Sequence, residues 1–286
     1  MPLLDHAGCR LHHEALGRPD SPPLLLVMGL GLCSLAWDDL PERLSKRFRV
    51  IVFDNRGVGK STAAKGRFST ADLADDAVKV LDAHLVPRAS VFGVSMGGMI
   101  AQVLAALVPQ RVLTLTSIMS SSGNPAPRVA FGDMRALQAL LRPPPEDPAD
   151  IDAIVDHLVF VFGVIGSPGF AQDATVLRPH LERVARRGLY PAGTARQLGA
   201  ILASGDRRPM LRNVESPTLV IHGASDPLVP VAAGRDTARH IRGATLEVVE
   251  GMGHDFPPAL MTRIATRVAD HCHSGGLRQG ESESAA

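Results

Sequence analysis

Ala89-Ser90-Val91-Phe92-Gly93-Val94-Ser95-Met96-Gly97-Gly98-Met99-Ile100 reads as an apolar strand, a serine between glycines and the start of a small-residue helix. Its core is G-x-S-x-G, the pattern of a nucleophile elbow, in which the serine sits on a strained strand-to-helix turn with its hydroxyl raised above a sheet. Gly93 and Gly97 leave room for strand and helix to meet. In a chain with 27 glycines the pattern alone also fits an ordinary glycine-rich turn, so its flanks decide. The run before Ser95 is β-type, and residues 99–108 favour helix and stop before Pro109. An α/β fold presenting Ser95 as a nucleophile is the expectation.

Outward from the elbow, β-type runs occupy residues 24–28, 50–54, 90–94, 112–119, 218–222 and 246–250. Alternating with helical or loop stretches, they predict a mostly parallel sheet covered by helices on both faces. Residues 3–15, with Gly8 at their middle, add an antiparallel hairpin at one edge. Between Gly123 and Arg212 the strand rhythm stops. Asn124-Pro125-Ala126-Pro127 and Arg142-Pro143-Pro144-Pro145 punctuate helical periodicity there, as in Ile151, Ile154, Val155, Leu158 and Val159. The expected organisation is a core of residues 1–122 and 213–273, a helical cap of 123–212, and a disordered tail of 274–286 rich in Ser, Gly and Glu. No internal repeat is visible.

At 286 residues and 45% hydrophobic composition the chain can bury one substantial core. A formal net charge of +1 gives no electrostatic case for nucleic acid or an anionic membrane surface, so the expected partner is a small molecule. No apolar run reaches membrane-spanning length and residues 1–10 do not read as a secretory leader, which makes the cytoplasm the expected location. Cys9, Cys33 and Cys272 are odd in number and far apart, fitting reduced thiols better than disulfides or a metal site. Cys33 reads as a small buried apolar residue.

A serine hydroxyl is a poor nucleophile at neutral pH and needs a base within hydrogen-bond reach and an acid that orients the base. After the run 218–222 comes Gly223-Ala224-Ser225-Asp226-Pro227, and after 246–250 comes Gly251-Met252-Gly253-His254-Asp255. Asp226 and His254 therefore follow strands, at the sheet edge where Ser95 also lies and where ligands gather in parallel α/β folds. His222 precedes the acid loop and suits a supporting role. Asp255 is too close to His254 in sequence to orient that imidazole easily, which leaves Asp226 as the acid.

Gly-Val-Ser-Met-Gly-Gly around Ser95, His-Gly-Ala-Ser-Asp-Pro around Asp226 and Gly-Met-Gly-His ending at His254 resemble the α/β-hydrolase superfamily, in the chain order Ser, Asp, His. Val27-Met28-Gly29-Leu30-Gly31 and the stretch from Gly251 to Pro257 are similar to a bacterial esterase group that includes aclacinomycin methylesterase. The resemblance implies a capped hydrolase acting through an acyl-enzyme, with no metal or organic cofactor. It also implies an oxyanion hole of two backbone N–H groups, from Met96 after the nucleophile and from Leu30 in the loop after an early strand. Many members carry His where this chain has Met28, so one hydrogen-bonding side chain beside that loop is absent.

Gly57-Val58-Gly59-Lys60-Ser61-Thr62 mimics the end of a phosphate-binding loop, but Asp54 stands where its first glycine belongs and would repel phosphate. The segment reads instead as a structural turn. In the cap, Phe160 and Phe162, with Val164, Ile165 and Phe170, are the candidates for an apolar substrate pocket, and the basic stretch 178–187 reads as a solvated helix face. The function expected is hydrolysis of carboxylic esters of small to medium apolar substrates. A lactonase or a cofactor-free haloperoxidase or perhydrolase on the same scaffold is the alternative, and a noncatalytic ligand-binding protein the alternative of another class.

Overall fold

The computed structural model describes residues 3–62, 66–130, 132–145, 147 and 149–284, the side chains of 276–284 excepted. Its described strands are β1 (Leu3–His6), β2 (Cys9–Leu16), β3 (Pro23–Val27), β4 (Arg49–Phe53), β5 (Ala89–Val94), β6 (Val112–Ile118), β7 (Thr218–Gly223) and β8 (Thr245–Val249). They form one sheet in the order β1-β2-β4-β3-β5-β6-β7-β8. From β4 to β8 all neighbours are parallel, and β1 and β2 add antiparallel pairs at one edge. The expected runs and the edge hairpin are all present, displaced by a residue or so. Ala7 and Gly8, both at positive φ, close the hairpin.

Central strands are apolar on both faces because helices cover both. Alternate residues serve opposite cores: Leu25, Val27, Ile51, Phe53 and Val91 join one cluster, and Leu24, Leu26, Val50, Val52, Phe92 and Val94 the other. The core helices are α1 (Leu40–Ser45), α2 (Thr70–Ala83) and α3 (Met96–Leu107). A reciprocal capping box between Ser69 and Asp72 starts α2.

Between β6 and β7 lie α4 (Pro127–Ala130), α5 (Met134–Leu140), α6 (Ile151–Ile165), α7 (Ala174–Arg187), α8 (Pro191–Ser204) and α9 (Arg208–Leu211). They carry small cores of their own, one joining Ile154, Val155 and Leu158 of α6 to Leu181 and Ala185 of α7. The stems of the insertion meet where Arg207 N–H donates to Ser122 O (2.9 Å) and the Arg207 guanidinium to Ser121 O (2.6 Å). The chain closes with α10 (Val231–His240) and α11 (Pro258–Ser284). Residues 274–284 of the tail thus depart from expectation, and 285–286 lie outside the described residues: helical backbone continues to Ser284, and Gly275 is buried against Thr114, where a larger residue would clash. The disorder reading followed composition alone, whereas the backbone of α11 continues past that change in composition. No helix among the described residues is long and apolar enough to cross a membrane.

Candidate active site

Ser95, Asp226 and His254 leave the carboxyl ends of β5, β7 and β8. Ser95 occupies the turn into α3 with φ 54° and ψ −119°. Its N–H donates to Ile118 O (2.9 Å) and its carbonyl accepts from the Ser120 hydroxyl (2.7 Å), so β6 holds the strained turn. Close approach explains the glycines: a Cβ on Gly93 would lie 2.1 Å from Gly97 O, and one on Gly97 1.9 Å from Val27 O.

The three side chains meet. His254 Nε2 is 3.0 Å from Ser95 Oγ, and His254 Nδ1 is 2.8 Å from Asp226 Oδ2. A carboxylate only accepts, so Nδ1 donates to Asp226 and Nε2 is left to accept from the serine hydroxyl. The other oxygen of Asp226 accepts from the N–H groups of Leu228 (2.9 Å) and Val229 (2.8 Å), which fixes the carboxylate plane. His222 is fully buried and donates Nε2–H to Val229 O (2.8 Å); burial holds its pKa below the usual histidine value. It supports the Asp226 loop.

Asp255 is bonded to partners of its own. It accepts from the hydroxyl of Ser167, beyond the end of α6, and from Gln172 Nε2 (3.4 Å); burial raises its pKa. Ser167 also accepts from Gly253 N–H (2.8 Å), and Ile165 O accepts from His254 N–H (2.8 Å), so the cap grips the histidine loop.

Met96 is the first residue of α3, where backbone N–H groups have no intrahelical acceptor. The loop after β3 lies against the nucleophile: a Cβ on Gly29 would be 3.3 Å from Ser95 Cβ. In that loop Gly31 N–H is occupied, donating to Gln197 Oε1 of α8 (2.8 Å). Together these features set a hydroxyl, an imidazole and a carboxylate in one hydrogen-bonded line at the start of a helix.

The sequence profile of the α/β hydrolase fold matches residues 22–149, and one described as TAP-like protein matches 200–281. Rhodomycin D methylesterase of Streptomyces peucetius is 31% identical, over 91% of this chain and 94% of its own. The chain belongs to the α/β-hydrolase family. A second relative, 3-oxoadipate enol-lactonase 2 of Acinetobacter baylyi, is also 31% identical, over 84% of this chain and 85% of that one. A solved hydrolase of Pseudomonas aeruginosa superposes with a TM-score of 0.71 at 28% identity, covering 93% of this chain and 97% of that structure.

Set within an α/β-hydrolase, the phosphate-loop mimic has a clear local explanation. The Asp54 carboxylate accepts from Ser34 N–H (2.7 Å) and Lys60 N–H (2.9 Å), filling with its own charge the nest a phosphate would need. Cys33 is fully buried, and burial pushes its thiol up to about 11. Two cap readings need correction. Phe160 is 44% exposed, on the face of α6 shared with Asp152 and Asp156, with the Arg142 guanidinium 4.7 Å over its ring. It is therefore a surface residue and not a pocket wall, while Phe162 packs half-buried between the two cap clusters. Arg187 is not on a solvated face: its side chain, only 8% exposed, turns inward to reach Asp54 Oδ2 (3.3 Å), Glu14 Oε1 (3.3 Å) and His12 Nδ1 (3.0 Å). Sequence reasoning also missed Asn55, Ser167 and Gln197, ordinary polar residues whose partners are distant backbone groups. Asn55, inside the turn already read as structural, was the one with a local signal.

Proposed function

We propose that the protein is a serine carboxylic-ester hydrolase in which Ser95 is the nucleophile, His254 the base and Asp226 the acid. The observation that carries the reading is the pair of contacts made by the His254 ring, 3.0 Å to Ser95 Oγ and 2.8 Å to Asp226 Oδ2. His254 Nε2 takes the Ser95 proton as Oγ attacks the ester carbonyl, and the oxyanion accepts from Leu30 and Met96 N–H. His254 then gives that proton to the leaving alcohol, forming an acyl-enzyme, and activates water to release the acid. Asp226 stabilises the imidazolium and does not itself take the proton.

The methylesterase relative favours a small alcohol, and the half-buried apolar Phe162 of the cap an apolar acyl part. We take the substrate to be a dissolved ester of small to medium size in the cytoplasm. A cyclic ester is the second reading, motivated by the enol-lactonase relative, and uses the same steps with the alcohol still tethered. Turnover of a panel of methyl esters, larger alkyl esters and lactones tests both. Ester cleavage lost in Ser95→Ala supports the proposal; unchanged cleavage in that variant overturns it.

A further inference from the structure

The loop after β3 has strand structure only up to Val27, and the buried Met28 side chain packs into the apolar cluster with Trp37, so it supplies no hydrogen bond to the turn. Support comes from elsewhere. Asn55 Nδ2 donates to Met28 O (2.9 Å) at the start of the turn. At its end Gly31 N–H donates to Gln197 Oε1 (2.8 Å), and Gln197 Nε2 donates to Arg56 O (3.0 Å). Gln197 is fully buried, so neither bond competes with bulk water.

Its helix is held close by small residues. A Cβ on Gly193 would lie 1.9 Å from Gly57 O, and one on Gly31, at φ +71°, would lie 2.9 Å from Thr194 Cγ2. Gly193, Thr194 and Gln197 stand at helical spacing, so one face of α8 presses on the loops after β3 and β4. The peptide joining Leu30 to Gly31 is thereby pinned from the cap, one residue from the proposed oxyanion donor.

We infer that Gln197 is a positioning residue for ester hydrolysis: by clamping the Leu30–Gly31 peptide it holds Leu30 N–H where the oxyanion develops, so the cap completes the oxyanion hole. The inference rests on the serine-hydrolase reading. A donor displaced by about 1 Å can cost on the order of 100-fold in rate, and loss of one oxyanion donor about 100- to 1000-fold.

The test is Gln197→Met, of similar volume but without the amide, compared with wild type by ester kinetics and by inhibition with a trifluoromethyl ketone, whose serine adduct bears the oxyanion. Expected are a fall in kcat of about 10- to 100-fold, KM within about 3-fold, and a ketone inhibition constant weakened in step with kcat/KM. Equal kcat in variant and wild type overturns the proposal, as does a loss confined to KM. Should Gln197→Met fail to fold by thermal melt, Gln197→Asn, one methylene too short to span both partners, carries the same expectation. A wild type inert to esters and to fluorophosphonate overturns the reading of the site and this proposal with it; an active wild type with an equally active variant overturns this proposal alone.

Discussion

Ser95 adopts a backbone conformation that costs a non-glycine residue about 1–3 kcal/mol, and the surrounding contacts hold it there. Such a turn leaves a local mark, because the glycines on either side are forced by contacts of about 2 Å. The elbow was therefore legible in five consecutive residues. Asp226 was legible for a similar reason: its Oδ1 closes a turn with Leu228 and Val229, a geometry in which Asp is favoured, leaving Oδ2 for His254. Phe160 was misread because an aromatic residue in an apolar helix looks like pocket or core, and nothing local announces the Arg142 that covers it. For Asp226→Asn, an amide N–H facing the imidazole favours the tautomer with its proton on Nε2, which cannot accept from Ser95. We expect kcat to fall on the order of 1000- to 10,000-fold with little change in melting temperature. An Asp226→Asn rate within a few-fold of wild type would direct the role of acid elsewhere.

The central strands followed from continuous apolar runs, since helices bury both of their faces, and α3 followed from the helix-favouring run after Ser95. The cap was legible as an insertion but not in its attachments. Asp133 N–H donates to Pro227 O (2.6 Å) beside the acid, Ile165 O and Ser167 hold the histidine loop, and Gln197 holds the loop of Leu30. These bonds join ordinary side chains or backbone groups to partners roughly 90 to 170 residues away, a separation no sequence period records. Ser167→Ala would remove a donor to buried Asp255 and the acceptor of Gly253 N–H. Leaving buried groups unsatisfied costs about 1–3 kcal/mol each, so a lower denaturant midpoint is expected, together with a kcat reduced by about 10-fold through the adjacent His254. A variant matching wild type in both would detach the cap from the histidine loop.

Across the whole molecule, burial sets the response to pH. His12, His13, His84, His157, His180 and His222 are all held below the usual histidine value with burial as the leading cause, His84 at about 4. Their contribution to stability is fully present above the unfolded value of about 6.5 and is lost as pH falls, because the unfolded chain takes up protons that the fold refuses. Asp76 and Asp255, raised by burial, act in the opposite sense and favour the fold below the ordinary carboxylate value of about 3.8. Between pH 7.5 and 5.5 the histidines prevail. Urea denaturation should therefore give a lower midpoint at pH 5.5 than at 7.5, and a higher one would contradict the lowering of these rings by the fold.

The most direct measurement of the central claim is intact-mass and peptide analysis after exposure to a fluorophosphonate, which reacts with a serine only when a neighbouring base activates it. We predict a single adduct on Ser95, present in wild type and absent in folded His254→Ala. A folded wild-type protein that takes no adduct, or takes it equally well without His254, would contradict the account.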